Sequence, residues 1–171
     1  MKTTFIFTYL ILCVGLTISS CKKKKKDSEE AATEVPSAPC SIPDNSTTAT
    51  SIIGVGGVNY TFVKGYDNYP PTYSVQATKG TAQTLIFTFK NGGVEPKPGV
   101  YKSTSDSELG NNEKDITVTV HYSWYAFDMK AGFNVYVTKV NGKLHLAFCD
   151  AEFFNPVNNN PIVMSGSVTL P

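Results

Sequence analysis

Arginine is absent from all 171 residues, so every one of the 15 basic side chains is a lysine. Without the planar guanidinium fork, bidentate recognition of phosphate or of guanine edges loses its usual side chain, which argues against nucleic acid as a partner. Histidine is nearly as scarce: His121 and His145 are the pair, and neither lies in a His-x-His or HExxH arrangement. A zinc centre therefore lacks converging ligands, and no metal or cofactor is expected. No Gly-x-Ser-x-Gly elbow is present, and catalysis by Ser or Cys needs a base beside its nucleophile. Gly54, Gly56 and Gly57 lack the lysine and helix that follow a phosphate-binding glycine cluster. No stretch keeps a helical period, no internal repeat is visible, and the apolar run Phe5–Ile18 is too short to span a bilayer as a helix.

The charge that is present is unevenly placed. Formal net charge is +1, yet Lys22–Lys26 supply five positive charges in a row. From Cys40 onward nine lysines face ten acidic residues, so that part is close to neutral. Asp27, Ser28, Glu29 and Glu30 follow the lysines, then Ala, Thr, Pro and Ser up to Pro39. Too little apolar bulk is available there to offset the entropy of ordering, and residues 21–39 read as a tether. As flexible coil it spans about 25 Å on average. Its lysines would gain up to roughly 1 kcal/mol each at an anionic lipid surface, an attraction diluted by the acids beside them. Residues 1–20, with Lys2 ahead of the apolar run, read as a secretory signal.

At the junction, Ile18, Ser19, Ser20 and Cys21 resemble the lipobox of bacterial lipoproteins. That resemblance implies cleavage before Cys21 and lipid on its thiol, making the membrane a partner through Cys21. The charged stretch just after it is similar to the surface-export signals of Bacteroidota lipoproteins, although the family pattern is richer in acids. With the β-rich remainder, the chain resembles small lipoproteins of Bacteroidota. The resemblance implies a lipid-anchored protein of the bacterial outer membrane, on its cell-surface or periplasmic face, and brings no catalytic residue with it. Once Cys13 leaves with the signal and Cys21 is acylated, Cys40 and Cys149 remain. An even pair in an exported chain is most simply a disulfide, the other reading being two buried thiols.

From Ser51 to Leu170 the texture is short β-branched and aromatic runs broken by Gly, Asn and Pro. Ser51–Val55 and Val58–Val63 would flank a tight turn at Gly56–Gly57, and Gly65–Pro71 would be a loop. Thr72–Thr78 and Gln83–Lys90 form a second pair, with Leu85, Phe87 and Phe89 on one face. Gly99–Lys102 is a short strand, and Ser103–Lys114 a polar loop. The alternation in Asp115–Phe127 puts Ile116, Val118, Val120, Tyr122 and Trp124 on a core face, and Thr117, Thr119, His121, Ser123 and Tyr125 on a wet one. Gly132–Val140 and Lys143–Glu152 flank Asn141–Gly142, a strong hairpin signal. A two-residue turn there sets Val137 opposite Leu146, Val135 opposite Phe148, Thr138 opposite His145 and Asn134 opposite Cys149. Cys149 then faces away from the core, where Cys40 would pin the amino-terminal segment. Ile162–Leu170 is the last strand. About nine strands over a single domain, residues 40–171, predict an all-β antiparallel sandwich, with a closed calycin-like barrel as the alternative.

Chemistry has few carriers. The loop holding Asp106, Glu108, Asn111, Asn112, Glu113 and Asp115 offers oxygen ligands for calcium, but its spacing fits no calcium loop. Nine tyrosines and a single tryptophan leave aromatic surface to account for. Tyr66, Tyr69 and Tyr125 are the candidate ligand contacts, as amphipathic rings that stack on a glycan or anchor a protein partner. High β propensity explains tyrosine on sheets equally well. The sequence thus predicts a non-catalytic lipid-anchored β domain with a binding or structural role. The alternative is an envelope hydrolase using His121, His145 or the acidic loop.

Overall fold

A computed structural model describes residues 36–50, 57–68, 72–157 and 161–171, within the unit Glu34–Pro171. Cys21, Tyr69 and the expected strand Ser51–Val55 lie outside the described residues. Among those described there is no helix. Eleven strands follow one another: β1 (Ser46–Thr50), β2 (Val58–Asn59), β3 (Phe62–Asn68), β4 (Thr72–Lys79), β5 (Gln83–Phe89), β6 (Gly99–Ser103), β7 (Asp115–Tyr122), β8 (Tyr125–Met129), β9 (Asn134–Val140), β10 (Lys143–Phe154) and β11 (Pro161–Thr169).

Their lateral order is β2-β1-β11-β10-β9-β6-β7-β5-β4-β3, with β8 pairing both β10 and β7. Every ladder is antiparallel except β6–β7, which is parallel, so the sheet is mixed and has more strands than the nine expected. The two ends of this order are neighbours in the chain. Tyr60 N–H donates to the Asn45 carbonyl at 2.7 Å, while the next amide, Thr61 N–H, donates to the Thr78 carbonyl at 2.9 Å. Adjacent residues thus serve opposite edges, and the sheet must fold over on itself. Among the described residues no ladder joins β2 to β3, so the result is sandwich-like and not the closed barrel.

A single core fills the fold. Leu85, Phe87 and Phe89 on β5 are at most 1% exposed, and Ile116, Val118, Val135, Leu146, Phe148 and Phe153 pack with them. The Asn141–Gly142 turn forms as the dipeptide dictates, with φ of 52° and 78°. Val137 then lies opposite Leu146, Val135 opposite Phe148 and Thr138 opposite His145. Beyond Phe148 the register shifts at a β-bulge, with Asp150 at φ 45°. The β9–β10 ladder ends at Val135–Phe148, so Asn134 does not pair with Cys149 as expected; its partner is Lys102 on the β6 side. Before the bulge even-numbered residues face the core; after it Ala151 and Phe153 do, each 0% exposed.

Cys149 sits on this bulge, half-buried and pointing away from Phe148, and forms a disulfide with Cys40 across 109 residues with Cα atoms 5.8 Å apart. Cys40 N–H also donates to the Cys149 sulfur at 3.2 Å. The segment leading into β1 is thereby stapled to the outer face of β10.

Three expected boundaries shift. Val58–Asn59 pairs with Thr47 and Ser46 of β1, and the expected turn at Gly56–Gly57 falls at the edge of the described residues, with Gly56 outside them. The run Val58–Val63 breaks at Tyr60–Thr61, where the sheet changes edge, and β3 continues through Asn68 into what reads as a loop. The long alternation Asp115–Phe127 is two strands, not one.

Candidate functional site

The break between β7 and β8 creates the most exposed aromatic surface among the described residues. Tyr122 pairs with Tyr125, leaving Ser123 and Trp124 as a two-residue turn with Ser123 at φ 55°. A two-residue turn returns the chain with facing residues on the same side, whereas strict alternation would put Tyr122 and Trp124 together. Both aromatic assignments therefore change. Trp124, expected in the core, stands at the tip and is 96% exposed. Tyr125, expected on the wet face, lies on the Val120–Phe127 side, 6.5 Å from the Phe127 ring, and is 54% exposed because the core ends there. Ser123 N–H donates to the Ala82 carbonyl at 2.7 Å, tying the tip to the β4–β5 turn.

Tyr66 belongs to a different place. It lies on the outer face of β3, half-buried, with the Lys64 ammonium 4.9 Å from its ring centroid. Register carries Tyr66 through Ser74 and Thr88 to Thr117, while Tyr125 connects through Tyr122 to Gln83. Five residues along β5 and four inter-strand steps separate them, roughly 25 Å. They do not form one platform.

The histidines are also apart. His121 is exposed on the outer face of β7, opposite Ala126. His145 on β10 has its Nδ1 2.8 Å from Thr169 Oγ1 and 3.6 Å from Asp44 Oδ1. A hydroxyl, an imidazole and a carboxylate thus meet, yet both partners address the same ring nitrogen. A triad needs the carboxylate on one nitrogen and the nucleophile on the other.

Two carboxylates of the acidic loop are held by the loop itself. Glu108 Oε2 accepts from Thr104 Oγ1 at 3.1 Å and from Ser105 Oγ at 3.0 Å, and Asp115 Oδ2 accepts the Asn112 amide at 2.7 Å. Among the described residues no three His, Cys, Asp or Glu side chains converge on a point that could hold a metal ion. Burial pushes the hydroxyl pKa of Tyr60, Tyr73 and Tyr101 upward. All three tyrosines belong to the core.

The same loop borders a groove. A cavity of about 510 Å³ opens between Thr104–Ser107, the outer face of β7–β8 at Thr117, Thr119 and Asp128, and Phe154 with Pro156. Thr119 Oγ1 donates to Asp128 Oδ1 at 2.8 Å on its floor. The groove and the Trp124 tip occupy the base and the end of one hairpin.

Trp124, Asp128 and Phe154 escaped the sequence reading. For Trp124 the signal was there, since Tyr-Ser-Trp-Tyr can turn at Ser123, but the unbroken alternation concealed it. Asp128 and Phe154 come together only through the β8–β10 ladder, which no local pattern announces. No family model matches this chain, and comparison with curated proteins and with solved structures returns no match.

Proposed function

We propose that the protein is a lipid-anchored lipoprotein of the bacterial outer membrane whose β domain is a non-catalytic binding module. Lipid on Cys21 holds it at the membrane, residues 22–39 give it reach, and the Trp124–Tyr125 tip contacts a glycan or protein partner. The anchor rests on the Ile18-Ser19-Ser20-Cys21 junction between an apolar run and a charged tether. The binding reading is carried by one observation: the chain's single tryptophan is 96% exposed at the tip of a hairpin. Leaving an indole in water forgoes several kcal/mol of burial, and Trp and Tyr dominate the residues that contribute most at interfaces. The Tyr122–Tyr125 pair and the Ser123–Ala82 hydrogen bond fix the backbone of the tip, so little loop ordering remains to be done on contact.

Two measurements test this. Labelled palmitate should enter the protein and be lost with Cys21→Ser, which should also move the protein out of the membrane fraction; unchanged fractionation removes the anchor. Glycan and envelope-protein arrays should return a ligand whose affinity falls about 30-fold or more with Trp124→Ala, as expected for a residue contributing roughly 2 kcal/mol. The rival reading, an envelope hydrolase, would replace this one if screening of esters, peptides and glycosides found an activity abolished by His121→Ala or His145→Ala.

A further inference from the structure

We propose that the groove at the base of the β7–β8 hairpin is a saccharide site for a neutral glycan, separate from the aromatic tip. Its cavity of about 510 Å³ falls in the range of clefts that take small molecules. The walls have two chemistries. Phe154 and Pro156 offer apolar plates, and Thr104, Ser107 and Thr117 bring hydroxyls to the same lining. A pyranose is built the same way, with a C–H face that packs on apolar side chains and an equatorial rim of hydroxyls that both donate and accept.

Charge narrows the choice further. Among the described residues, the charged ones that line the groove are Asp106 and Asp128, and no lysine lines it. A sulfated, phosphorylated or uronic ligand would meet repulsion without a compensating cation. Asp128 is half-buried, its Oδ1 accepts from Thr119, and among the described residues nothing donates to Oδ2. A carboxylate fixed by one hydrogen bond and open at its second oxygen is suited to accept from a sugar hydroxyl. Charge-assisted bonds of this kind are about twice as strong as neutral ones. A cationic peptide is the competing ligand for two carboxylates. The observations favour sugar because neighbouring carboxylates are already occupied, Glu108 by Thr104 and Ser105 and Glu152 by Lys130, and the rest of the described lining is hydroxyl and apolar.

Nuclear magnetic resonance titration of the full chain in dodecylphosphocholine, a sugar-free detergent, tests this with lactose, cellobiose, maltose and mannobiose as probes. Digalacturonate and tetralysine serve as charged controls. At least one neutral disaccharide should shift the amides of Ser105–Ser107, Thr117–Thr119 and Asp128–Met129. Asp128→Ala should weaken that binding about tenfold or more, the loss expected for a hydrogen bond to a charged group. Asp106→Ala, at an exposed loop position that cannot disturb the core, should weaken it several-fold and keeps the test sharp if the Asp128 variant fails to fold. Shifts confined to residues 122–126 would overturn the groove assignment and leave the tip reading standing. Silence from all four disaccharides at about 20 mM, or stronger response to digalacturonate or tetralysine, would also overturn it.

Discussion

Reducing the Cys40–Cys149 bond tests how the domain holds its entry segment. The bond closes a loop over a separation of 109 residues. In the chain-entropy account, opening a loop of that size returns freedom to the unfolded state equivalent to about 4.7 kcal/mol. Typical domains have a total stability of about 5–15 kcal/mol, so the loss is large. It should not abolish folding, because the bulge at Cys149 has independent support: Asp150 N–H donates to Ser165 Oγ at 2.7 Å, and Ser165 Oγ donates to Asp150 Oδ1 at 3.1 Å. With a urea slope of roughly 2 kcal/mol per molar, the unfolding midpoint should fall by about 2 M. Far-ultraviolet circular dichroism is the proper probe, since Trp124 is already 96% exposed in the folded state and its fluorescence would report little. The double variant Cys40→Ala with Cys149→Ala, without reductant, should reproduce the reduced protein. A midpoint shift under roughly 0.5 M in both would refute the reasoning, because a cross-link of that span cannot be entropically silent unless the unfolded chain is already held together there.

Other perturbations follow from packing and burial. A methyl group on Gly166 would stand 2.6 Å from two ring carbons of Phe148, which is 0% exposed, so Gly166→Ala should lower stability by about 1–3 kcal/mol in the same urea assay. No loss would mean the Phe148 ring can move. Trp124→Ala should change stability by less than about 0.5 kcal/mol while weakening ligand binding, and a large stability loss would place the indole in a structural role. Burial raises Tyr60, Tyr73 and Tyr101 above their ordinary value of 10.0, so the unfolded chain ionises first. Stability is then complete below pH of about 10 and falls as pH rises through that value toward the raised folded-state ones. Urea midpoints compared at pH of about 9 and 11 should show the decline, and Tyr60→Phe should reduce it. Equal midpoints would deny that the folded state keeps these hydroxyls neutral.

What could be read without coordinates was local or compositional. Strict alternation placed Leu85, Phe87 and Phe89 inward, and Asn141–Gly142 set the β9–β10 register, because side-chain period and turn geometry act over two to four residues. The pairing of Cys40 with Cys149 was legible by counting once the signal and the lipobox resemblance set Cys13 and Cys21 aside. Alternation carries no mark of where it restarts, however. At Ser123–Trp124 a turn, and at Cys149–Asp150 a bulge, each shifted the parity of what came next. Those two events put Trp124 in solvent and Phe153 in the core. Strand order is further removed from sequence: the parallel β6–β7 pair and the contact of β8 with β10 join residues distant in the chain. The groove between Asp128 and Phe154 exists only because those ladders form. Short-range sterics thus decided which residues extend and where some turn, while long-range burial of one shared core decided which strands meet and what surface their meeting leaves open.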